Sequence, residues 1–436
     1  MKKKIILFIH QNFPAQFKSL APHLSLNKDY AIYSLSLKKN RENKELDESL
    51  SSMENITHYQ YEITRGSTGD IHVLAAEFEA KMIRAEAVAK KCIELKEKGL
   101  QPDLIINHPG WGEIYLLKDV WPDTKFLSYF EFYYNTKGSD IDFDLGEKNH
   151  PKPGFDLFAK LRARNAPGMM SYLESDKLIC PTEFQKNTAP DEFRDKIRVI
   201  HDGIDTSIIK PVEGISVEVK IKNQIKVSLT KKDKIVTFIN RNLEPYRGYH
   251  SFMRSIPEIQ KKHPDALFLI IGGDKVSYGA KSISGESYKN IYFNEVKDDL
   301  IDPNRLLFLG KVEYDNLLKI LSISSAHIYL TYPFVLSWSM LEAMALENII
   351  IGSKTEPVEE IITDNKNGLL VDFFNTNQIS KTVNDVLANP DKYQSIRKNA
   401  RKTIISKYDL NKVCLPEQIK LVEGLLNGWR QFFWRH

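Results

Sequence analysis

The chain has 436 residues, of which 42% are hydrophobic and 27% charged, with a formal net charge of +4. This length predicts two domains of about 150–200 residues each. The small net charge, without a zinc-finger or basic-helix pattern, argues against a dedicated nucleic-acid binder. The three widely spaced cysteines form neither a metal-binding spacing nor a disulfide framework, so we expect a reducing, cytoplasmic compartment. No apolar stretch approaches the roughly 18 residues that span a bilayer.

The first half of the chain alternates short apolar strands with helical patterns. Residues 72–100 predict a long, charged helix. The predicted strands are KIILFIH (4–10), LIIN (104–107), KFLSYF (125–130), KLICP (177–181) and IRVIHDG (197–203). Strands rich in Ile, Leu and Val that alternate with helices indicate a parallel sheet covered on both faces. Residues 1–203 are therefore predicted to form a Rossmann-like domain.

The same α/β pattern restarts after residue 232. The predicted strands are KIVTFINR, LFLIIGGD, RLLFLGKV, SAHIYLTYP, NIIIGS and GLLVDF. We therefore predict a second Rossmann-like domain at 233–405, a charged linker at 204–232, and a helical segment at 406–436 that packs back on the first domain. Because ligands bind beyond the carboxyl ends of such strands, we expect the two domains to face each other across a cleft.

Two arginines follow the first strand of the second domain. The strand ends near Asn240, and Arg241 and Arg247 flank the loop that leads to Gly248. A guanidinium fork suits the oxygens of a diphosphate, and a helix start supplies backbone N–H donors. Alternatively, both arginines pair with surface acids such as Glu244, and the spacing alone leaves these two interpretations open.

A second constellation lies in YPFVLSWSMLEAMALENIIIG (332–352). Pro333 cannot continue a central strand, and a helix is predicted to begin near Ser337–Ser339. The N–H groups of Ser337, Trp338 and Ser339 would then be unpaired and able to bind a phosphate. Glu342 could accept ribose hydroxyls, although the stretch alone favours a capping box with Ser339.

These stretches together resemble glycosyltransferase family 4, whose members are retaining, nucleotide-sugar-dependent enzymes with the α/β GT-B fold. In the second half the resemblance is carried by Arg241, Arg247-Gly248, IIGGD (270–274), FLGKV (308–312), SMLEAMA (339–345) and NKNGLLVDFFN (365–375). In the first half, VIHDGIDTSIIKP (199–211) is similar to the stretch that closes the family's first domain.

The resemblance implies a role for each matching residue. Arg241 and Arg247 would clamp the donor diphosphate and serve catalysis. Glu342 would bind the ribose, and the backbone of the 310–312 loop would contact the base. The implied donor-binding residues are Arg241, Arg247, Asp274, Gly310, Lys311, Val312, Ser337, Trp338, Ser339 and Glu342.

The sequence departs from the family pattern at three places. Phe334 stands where the family has a sugar-binding Glu, so that contact is lost or comes from elsewhere. Val335-Leu336-Ser337 replaces Gly-Phe-Gly, which gives a more apolar donor pocket. In the first domain, Glu131 replaces a His at a strand end. We expect Glu131 near the reacting sugar as a catalytic candidate, against the alternative of a structural Glu.

Polar residues after first-domain strands are candidates for acceptor binding. His10 and Asn12 follow the first strand, and His108 follows the strand at 104–107. A His in such a loop is also commonly structural, and this alternative stays open.

A possible metal-binding motif occurs in DIDFD (140–144). Asp-x-Asp binds a divalent ion in transferases with the GT-A fold, but here it follows a loop at Gly138 and does not close a nucleotide-binding half. We predict no metal site and a metal-independent enzyme.

The resemblance implies a hexosyltransferase that uses a UDP- or GDP-linked sugar and no other cofactor. Its acceptor would be a glycan, a lipid-linked molecule or a protein, in bacterial surface polysaccharide or glycoconjugate synthesis. A nucleotide-sugar epimerase and a non-catalytic nucleotide-sugar-binding protein remain as alternatives. The tail WRQFFWRH (429–436) mixes aromatic and cationic residues, which suits peripheral contact with the inner membrane face. We favour the simpler alternative, in which the last helix packs on the first domain. The oligomeric state stays open.

Overall fold

The computed structural model describes residues 2–38, 53–221 and 225–428. The chain divides into two compact units. Unit 1 comprises Met1–Asn135, Gly154–Asp202 and Asn411–His436, and unit 2 comprises Thr136–Pro153 and Gly203–Leu410. The chain therefore passes between the units four times. Neither unit is one continuous stretch of sequence.

Unit 1 contains a seven-stranded sheet in which every pairing is parallel. Its strands are β1 (Lys4–Ile9), β2 (Tyr30–Leu37), β3 (Ile56–Tyr61), β4 (Leu104–Asn107), β5 (Lys125–Tyr129), β6 (Lys177–Cys180) and β7 (Ile197–Val199), in the order β3-β2-β1-β4-β5-β6-β7. The helices that the structure describes before residue 203 are α1 (Leu20–Ser25), α2 (Ala76–Glu97), α3 (Leu117–Val120), α4 (Phe155–Glu174), α5 (Glu183–Thr188) and α6 (Asp191–Arg194).

Unit 2 contains a two-stranded hairpin, β8 (Ser216–Ile221) and β9 (Ile225–Thr230), and a six-stranded parallel sheet. The strands of this sheet are β10 (Ile235–Asn242), β11 (Leu267–Gly273), β12 (Leu306–Gly310), β13 (Ala326–Tyr329), β14 (Ile350–Ser353) and β15 (Leu369–Val371), in the order β12-β11-β10-β13-β14-β15. Its helices are α7 (Tyr249–Lys262), α8 (Tyr288–Val296), α9 (Tyr314–Ser322), α10 (Trp338–Ala345), α11 (Glu356–Glu359), α12 (Thr376–Ala388) and α13 (Gln394–Lys407).

One central strand of each sheet is buried along its whole length. Residues 104–107 in β4 and 326–329 in β13 are all buried, as continuous apolar strands covered on two faces must be. Both units are therefore α/β and Rossmann-like, as the sequence predicts. Parallel strands place their carboxyl ends at one edge, and the loops that leave this edge carry most of the predicted site residues.

The structure differs from the sequence prediction in where the segments belong. The predicted linker, 204–232, lies within unit 2 and contains the β8–β9 hairpin. Residues 136–153, predicted in the first domain, also cluster with unit 2. The reason is a set of side-chain contacts over long sequence distances, which local patterning does not reveal.

The C-terminal helix α14 (Leu415–Asn427) clusters with unit 1, where it packs against α1 and β5. The aromatic tail at 429–436 lies outside the described residues. Across the part of the chain that the structure describes, no helix is both long enough and apolar enough to cross a membrane.

Candidate functional site

The carboxyl edge of the six-stranded sheet brings three predicted donor-binding segments together. Arg241 lies near the end of β10, Asp274 directly follows β11, and Lys311 directly follows β12, and all three side chains are exposed. A Cβ on Gly273 would lie 2.5 Å from Asn242 Oδ1 and 3.6 Å from Lys311 Cε. Glycine therefore allows these loops to approach each other. Gly310 has a φ of +66°, in the left-handed region that favours glycine.

Arg247 is 4% exposed and ends a short 3₁₀ turn, Pro245–Arg247. Its Nη1 donates to Thr331 Oγ1 at 2.8 Å, to the Val335 carbonyl at 2.9 Å, and at 3.5 Å to the hydroxyl of Tyr329. Among the described residues, every hydrogen bond of this guanidinium uses Nη1. The group is thus fixed by one nitrogen, with the N–H groups of Nε and Nη2 left for another partner.

Glu244 is not the surface acid that the alternative interpretation requires. It is 1% exposed, and its carboxylate accepts the backbone N–H groups of Ser277, Tyr278 and Gly279 at 3.0–3.3 Å. Burial raises the pKa of this carboxyl, whereas the three amides and the charge of Arg247 lower it. Because Arg247 is itself buried, surface ion pairing does not explain its position.

The helix α10 begins at Trp338 with Ser337 as its N-cap, in agreement with the prediction. The prediction that the N–H groups at the start of this helix are unpaired is wrong for Ser337 and Ser339. Ser337 N–H donates to Tyr329 Oη at 2.8 Å, and Ser339 N–H donates to Ser337 Oγ at 3.3 Å. The cap serine and a tyrosine at the end of β13 satisfy these donors locally.

Glu342 does not form a capping box, because the N-cap is Ser337 and Glu342 lies in the fifth position of the helix. It is 5% exposed, and its Oε1 accepts a hydrogen bond of 2.6 Å from Tyr314 Oη. Tyr314 was not predicted. Its position two residues after the 308–312 loop is the sequence feature that could have identified it as a site residue.

Phe334 is buried beside Arg247. Its ring centroid lies 5.7 Å from the guanidinium carbon, 5.4 Å from the ring of Tyr246 and 5.1 Å from the ring of Tyr278. The Tyr278 ring is itself 4.9 Å from the guanidinium carbon. An aromatic residue therefore stands next to the buried cation where the family resemblance places an acid. Neither tyrosine was predicted.

In unit 1 the structure brings His108 and Glu131 together. The buried His108 accepts the Gly110 N–H on Nδ1 at 3.2 Å, so Nε2 carries the proton of the neutral ring. This Nε2 lies 3.6 Å from Glu131 Oε2. Partial removal from water raises the pKa of the Glu131 carboxyl. The contact with His108 lowers it by more, so the net shift of the pKa is downward.

The other predicted acceptor residues lie on the neighbouring strand end. His10 packs its ring against His108, with 5.5 Å between the centroids, and accepts the N–H of Asn12 on Nδ1 at 2.9 Å. His10, His108 and Glu131 therefore follow β1, β4 and β5, which are adjacent in the sheet. Asn12 is tied to this group through its backbone.

A cavity of about 280 Å³ adjoins His108 and Glu131 within unit 1. Cations from α2 and α4 line it together with aromatic groups of the loops after β4 and β5. They include Lys81, Arg84, Arg164, Trp111 and Tyr134. Lys81 and Arg164 both approach Glu77 Oε1, at 3.2 and 3.6 Å. The sequence does not reveal this cavity, because its walls come from segments far apart in the chain.

Glu113, which closes the His108 loop, is fully buried. Its Oε1 accepts a 2.7 Å hydrogen bond from Tyr61 Oη, and its Oε2 has no hydrogen-bond partner among the described residues. Burial raises the pKa of this carboxyl to about 7, although the hydrogen bond from Tyr61 and the charge of Arg84 oppose the shift. The carboxyl end of the seven-stranded sheet thus holds an acid that titrates near neutrality.

The aspartates of 140–144 point to different partners. Asp142 accepts the N–H groups of Gly138 and Ser139, whereas Asp140 and Asp144 accept from the hydroxyls of Tyr246 and Tyr332. Within the described ranges, no group of three or more His, Cys, Asp or Glu is placed to hold a metal ion.

Two family models match successive parts of the chain. The model described as glycosyl transferase family 4 group matches residues 33–209, and the model described as glycosyl transferases group 1 matches residues 220–403. The interval between the two matches, residues 210–219, includes the start of β8.

Curated relatives are distant. An uncharacterized glycosyltransferase of Methanocaldococcus jannaschii is 24% identical over 60% of this chain and 61% of its own length. Spore coat protein SA of Bacillus subtilis is 22% identical over 73% of this chain and 78% of its own length. The chain thus spans about three fifths of the length of the archaeal relative.

Solved structures share the fold over nearly the whole chain. A sucrose-phosphate synthase from Thermosynechococcus elongatus has a TM-score of 0.69 at 14% identity and covers 99% of both chains. Anabaena HepE, in complex with UDP and glucose, has a TM-score of 0.65 at 13% identity and covers 97% of this chain and 100% of its own. Both neighbours are GT-B proteins, which identifies the fold of this chain as GT-B. With consecutive model matches over both halves of this fold, the chain belongs to the glycosyl transferases group 1 of glycosyltransferase family 4.

Proposed function

We propose that this chain transfers a sugar from a nucleoside diphosphate to an acceptor hydroxyl. The observation that carries the proposal is Arg247, a buried guanidinium held through Nη1 beyond the carboxyl edge of the six-stranded sheet. A cation fixed in this way meets growing negative charge without reorganising. The leaving diphosphate of a nucleotide sugar gains such charge, and a guanidinium fork matches its oxygens.

The remaining donor contacts are proposed from the same edge of unit 2. Arg241 and Lys311 add positive charge, Glu342 accepts ribose hydroxyls, and the backbone of Gly310–Val312 contacts the base. Anabaena HepE, which shares the fold, has been solved with UDP and with UDP-glucose. This supports a uridine nucleotide as the first donor to test, ahead of a GDP-linked one.

The acceptor is proposed to bind in the cavity of unit 1. Its mixture of cations, carboxylates and aromatic rings suits a polyhydroxylated ligand. The acceptor oxygen would form a bond to the anomeric carbon while the bond to the diphosphate breaks. The hydroxyl proton would pass to Glu131, which the lowered pKa keeps ionised at neutral pH, or to the departing diphosphate.

The finer features of the reaction follow the family. We propose transfer of a hexosyl group with retention, through attack on the face from which the diphosphate leaves. Arg241, Arg247 and Lys311 would supply the positive charge that a divalent ion supplies in other transferases, so we expect transfer to continue in the presence of a chelator. A cytoplasmic role in surface polysaccharide or glycoconjugate synthesis is consistent with these features.

The test is Arg247→Lys, which keeps the charge but loses the fork. We expect kcat/KM to fall by about two to three orders of magnitude, as it does when a preorganised hydrogen-bond donor is removed. Arg397→Lys is the matched control, because Arg397 is another buried guanidinium of unit 2 that donates to backbone carbonyls, of Glu347 and Ser325. Wild-type transfer by Arg247→Lys would refute the proposed diphosphate contact.

Incubation with the donor alone separates the remaining alternatives. Conversion of the donor into an isomer without any acceptor would indicate an epimerase. Binding without consumption across a panel of glycan, lipid-linked and protein acceptors would indicate a nucleotide-sugar-binding protein. Transfer that requires both substrates is the expected result.

A further inference from the structure

The segment 136–153, here called the docking segment, belongs to unit 2 although both of its neighbours in the sequence belong to unit 1. Phe143 packs against the rings of Tyr332, Phe373 and Phe374, with centroid distances of 5.1–5.2 Å. Its contacts with unit 2 therefore include an aromatic anchor as well as polar groups.

Two aspartates of the docking segment each hold a tyrosine. Asp140 is 1% exposed and accepts a hydrogen bond from Tyr246 Oη. Asp144 accepts a 2.8 Å hydrogen bond from Tyr332 Oη, and its Oδ2 also lies 3.0 Å from His250 Nε2. Carboxylates bonded to buried hydroxyls fix the positions of both rings, because breaking either bond leaves a polar group unsatisfied.

The two tyrosines lie next to the anchoring points of Arg247. Tyr246 is its sequence neighbour, and Tyr332 directly follows Thr331, whose hydroxyl accepts the 2.8 Å bond from Arg247 Nη1. The tyrosines also contact each other: the Tyr332 N–H donates to the Tyr246 carbonyl at 3.0 Å, and their rings are 4.8 Å apart. The backbone that carries Arg247 and the backbone that carries its acceptor Thr331 are therefore joined through Tyr246 and Tyr332.

We propose that Asp140 and Asp144 are positioning residues that set the geometry of Arg247 through Tyr246 and Tyr332. This proposal rests on the proposed function, in which Arg247 binds the donor diphosphate. It also gives the Asp-x-Asp repeat a role that needs no metal ion. Neither aspartate is proposed to touch the substrate.

The chain offers a matched control in the same segment. Glu147 contacts Arg254, with 3.0 Å between Oε2 and Nη1, and accepts the Asn149 N–H at 3.0 Å. Arg254 also pairs with Glu295. Glu147→Gln weakens the attachment of the docking segment without changing the tyrosines beside Arg247. A general loosening of the segment is thereby separated from an effect on Arg247.

The experiment measures the affinity of the full-length protein for UDP, GDP, ADP, CDP and dTDP by isothermal titration calorimetry. For the nucleotide that binds best, Asp144→Ala, which removes both acceptor oxygens, and Tyr332→Phe are each expected to weaken binding about tenfold, and the double variant no further, because both act through one contact. Asp140→Ala and Tyr246→Phe form a second such cycle. Glu147→Gln should bind like the wild type.

Wild-type affinity of Asp140→Ala and Asp144→Ala, together with weakened binding by Arg247→Lys, would overturn the inference and leave the proposed function intact. Additive effects within each cycle, or an equal loss in Glu147→Gln, would also overturn it, because the aspartates would then act through the stability of the segment. Unchanged binding in Arg247→Lys, or a wild type that binds none of the five nucleotides, would instead count against the proposed function.

Discussion

The buried carboxyl of Glu113 makes the stability of unit 1 depend on pH. In the folded protein its pKa is raised from 4.5 to about 7 by burial, so the folded state binds a proton that the unfolded chain has already released. The stability that this bound proton contributes is fully present below the pKa of Glu113 in the unfolded chain. It is lost as the pH rises through 7, the pKa in the folded protein. A shift of this size, at 1.36 kcal/mol per pH unit, corresponds to about 3 kcal/mol.

Glu113→Gln removes the titration while it retains an oxygen for the Tyr61 hydroxyl. Between pH 5 and pH 8 the wild type should therefore lose about 2 to 3 kcal/mol of its free energy of unfolding relative to the variant. Urea unfolding followed by pulsed hydrogen exchange and mass spectrometry reads out peptides of unit 1 separately from those of unit 2. Glu97→Gln, at an exposed position of α2, controls for the change in net charge. A pH-independent difference between Glu113→Gln and the wild type would refute the reasoning.

Two further predictions concern unit 2. Tyr314→Phe removes the hydrogen bond to Glu342 and should weaken UDP binding about three- to tenfold. Binding of 2′-deoxy-UDP should weaken less, because Glu342 is proposed to bind the ribose hydroxyls. An equal effect on both nucleotides in calorimetry would contradict this. Phe334→Glu places a carboxylate beside Arg247 and should reduce UDP affinity at least tenfold, whereas Phe334→Leu should not. Equal affinities of the two Phe334 variants, both folded by circular dichroism, would show that Phe334 does not influence the diphosphate contact.

The sequence reveals those parts of the fold that depend on local apolar patterning. All eleven predicted strands are present, since runs such as LFLIIGG (267–273) are buried on both faces. The strands β2 and β3 were missed because Ser34, Ser36, His58 and Gln60 interrupt their apolar pattern. The β8–β9 hairpin was missed because its charged residues resemble a linker.

The candidate site was predictable where the residues follow a strand end. Arg241, Asp274 and Lys311 lie at one edge because parallel strands end there. The contacts of Tyr246 with Asp140 and of Tyr332 with Asp144 join residues 106 and 188 positions apart, and no periodicity connects them. The same holds for Tyr61 and Glu113, which are 52 positions apart. Hydrogen bonding between distant segments is the information that a single sequence does not display.

The location of the docking segment has a consequence for protein engineering. A chimera made by joining the first 203 residues of one family member to the remainder of another would give unit 2 an unfamiliar 136–153 segment. The aromatic surface of Tyr332, Phe373 and Phe374 would then meet a side chain that did not evolve with it. Exchange of donor specificity between relatives should therefore transplant residues 136–153 together with residues 203–410, as two inserts into one recipient.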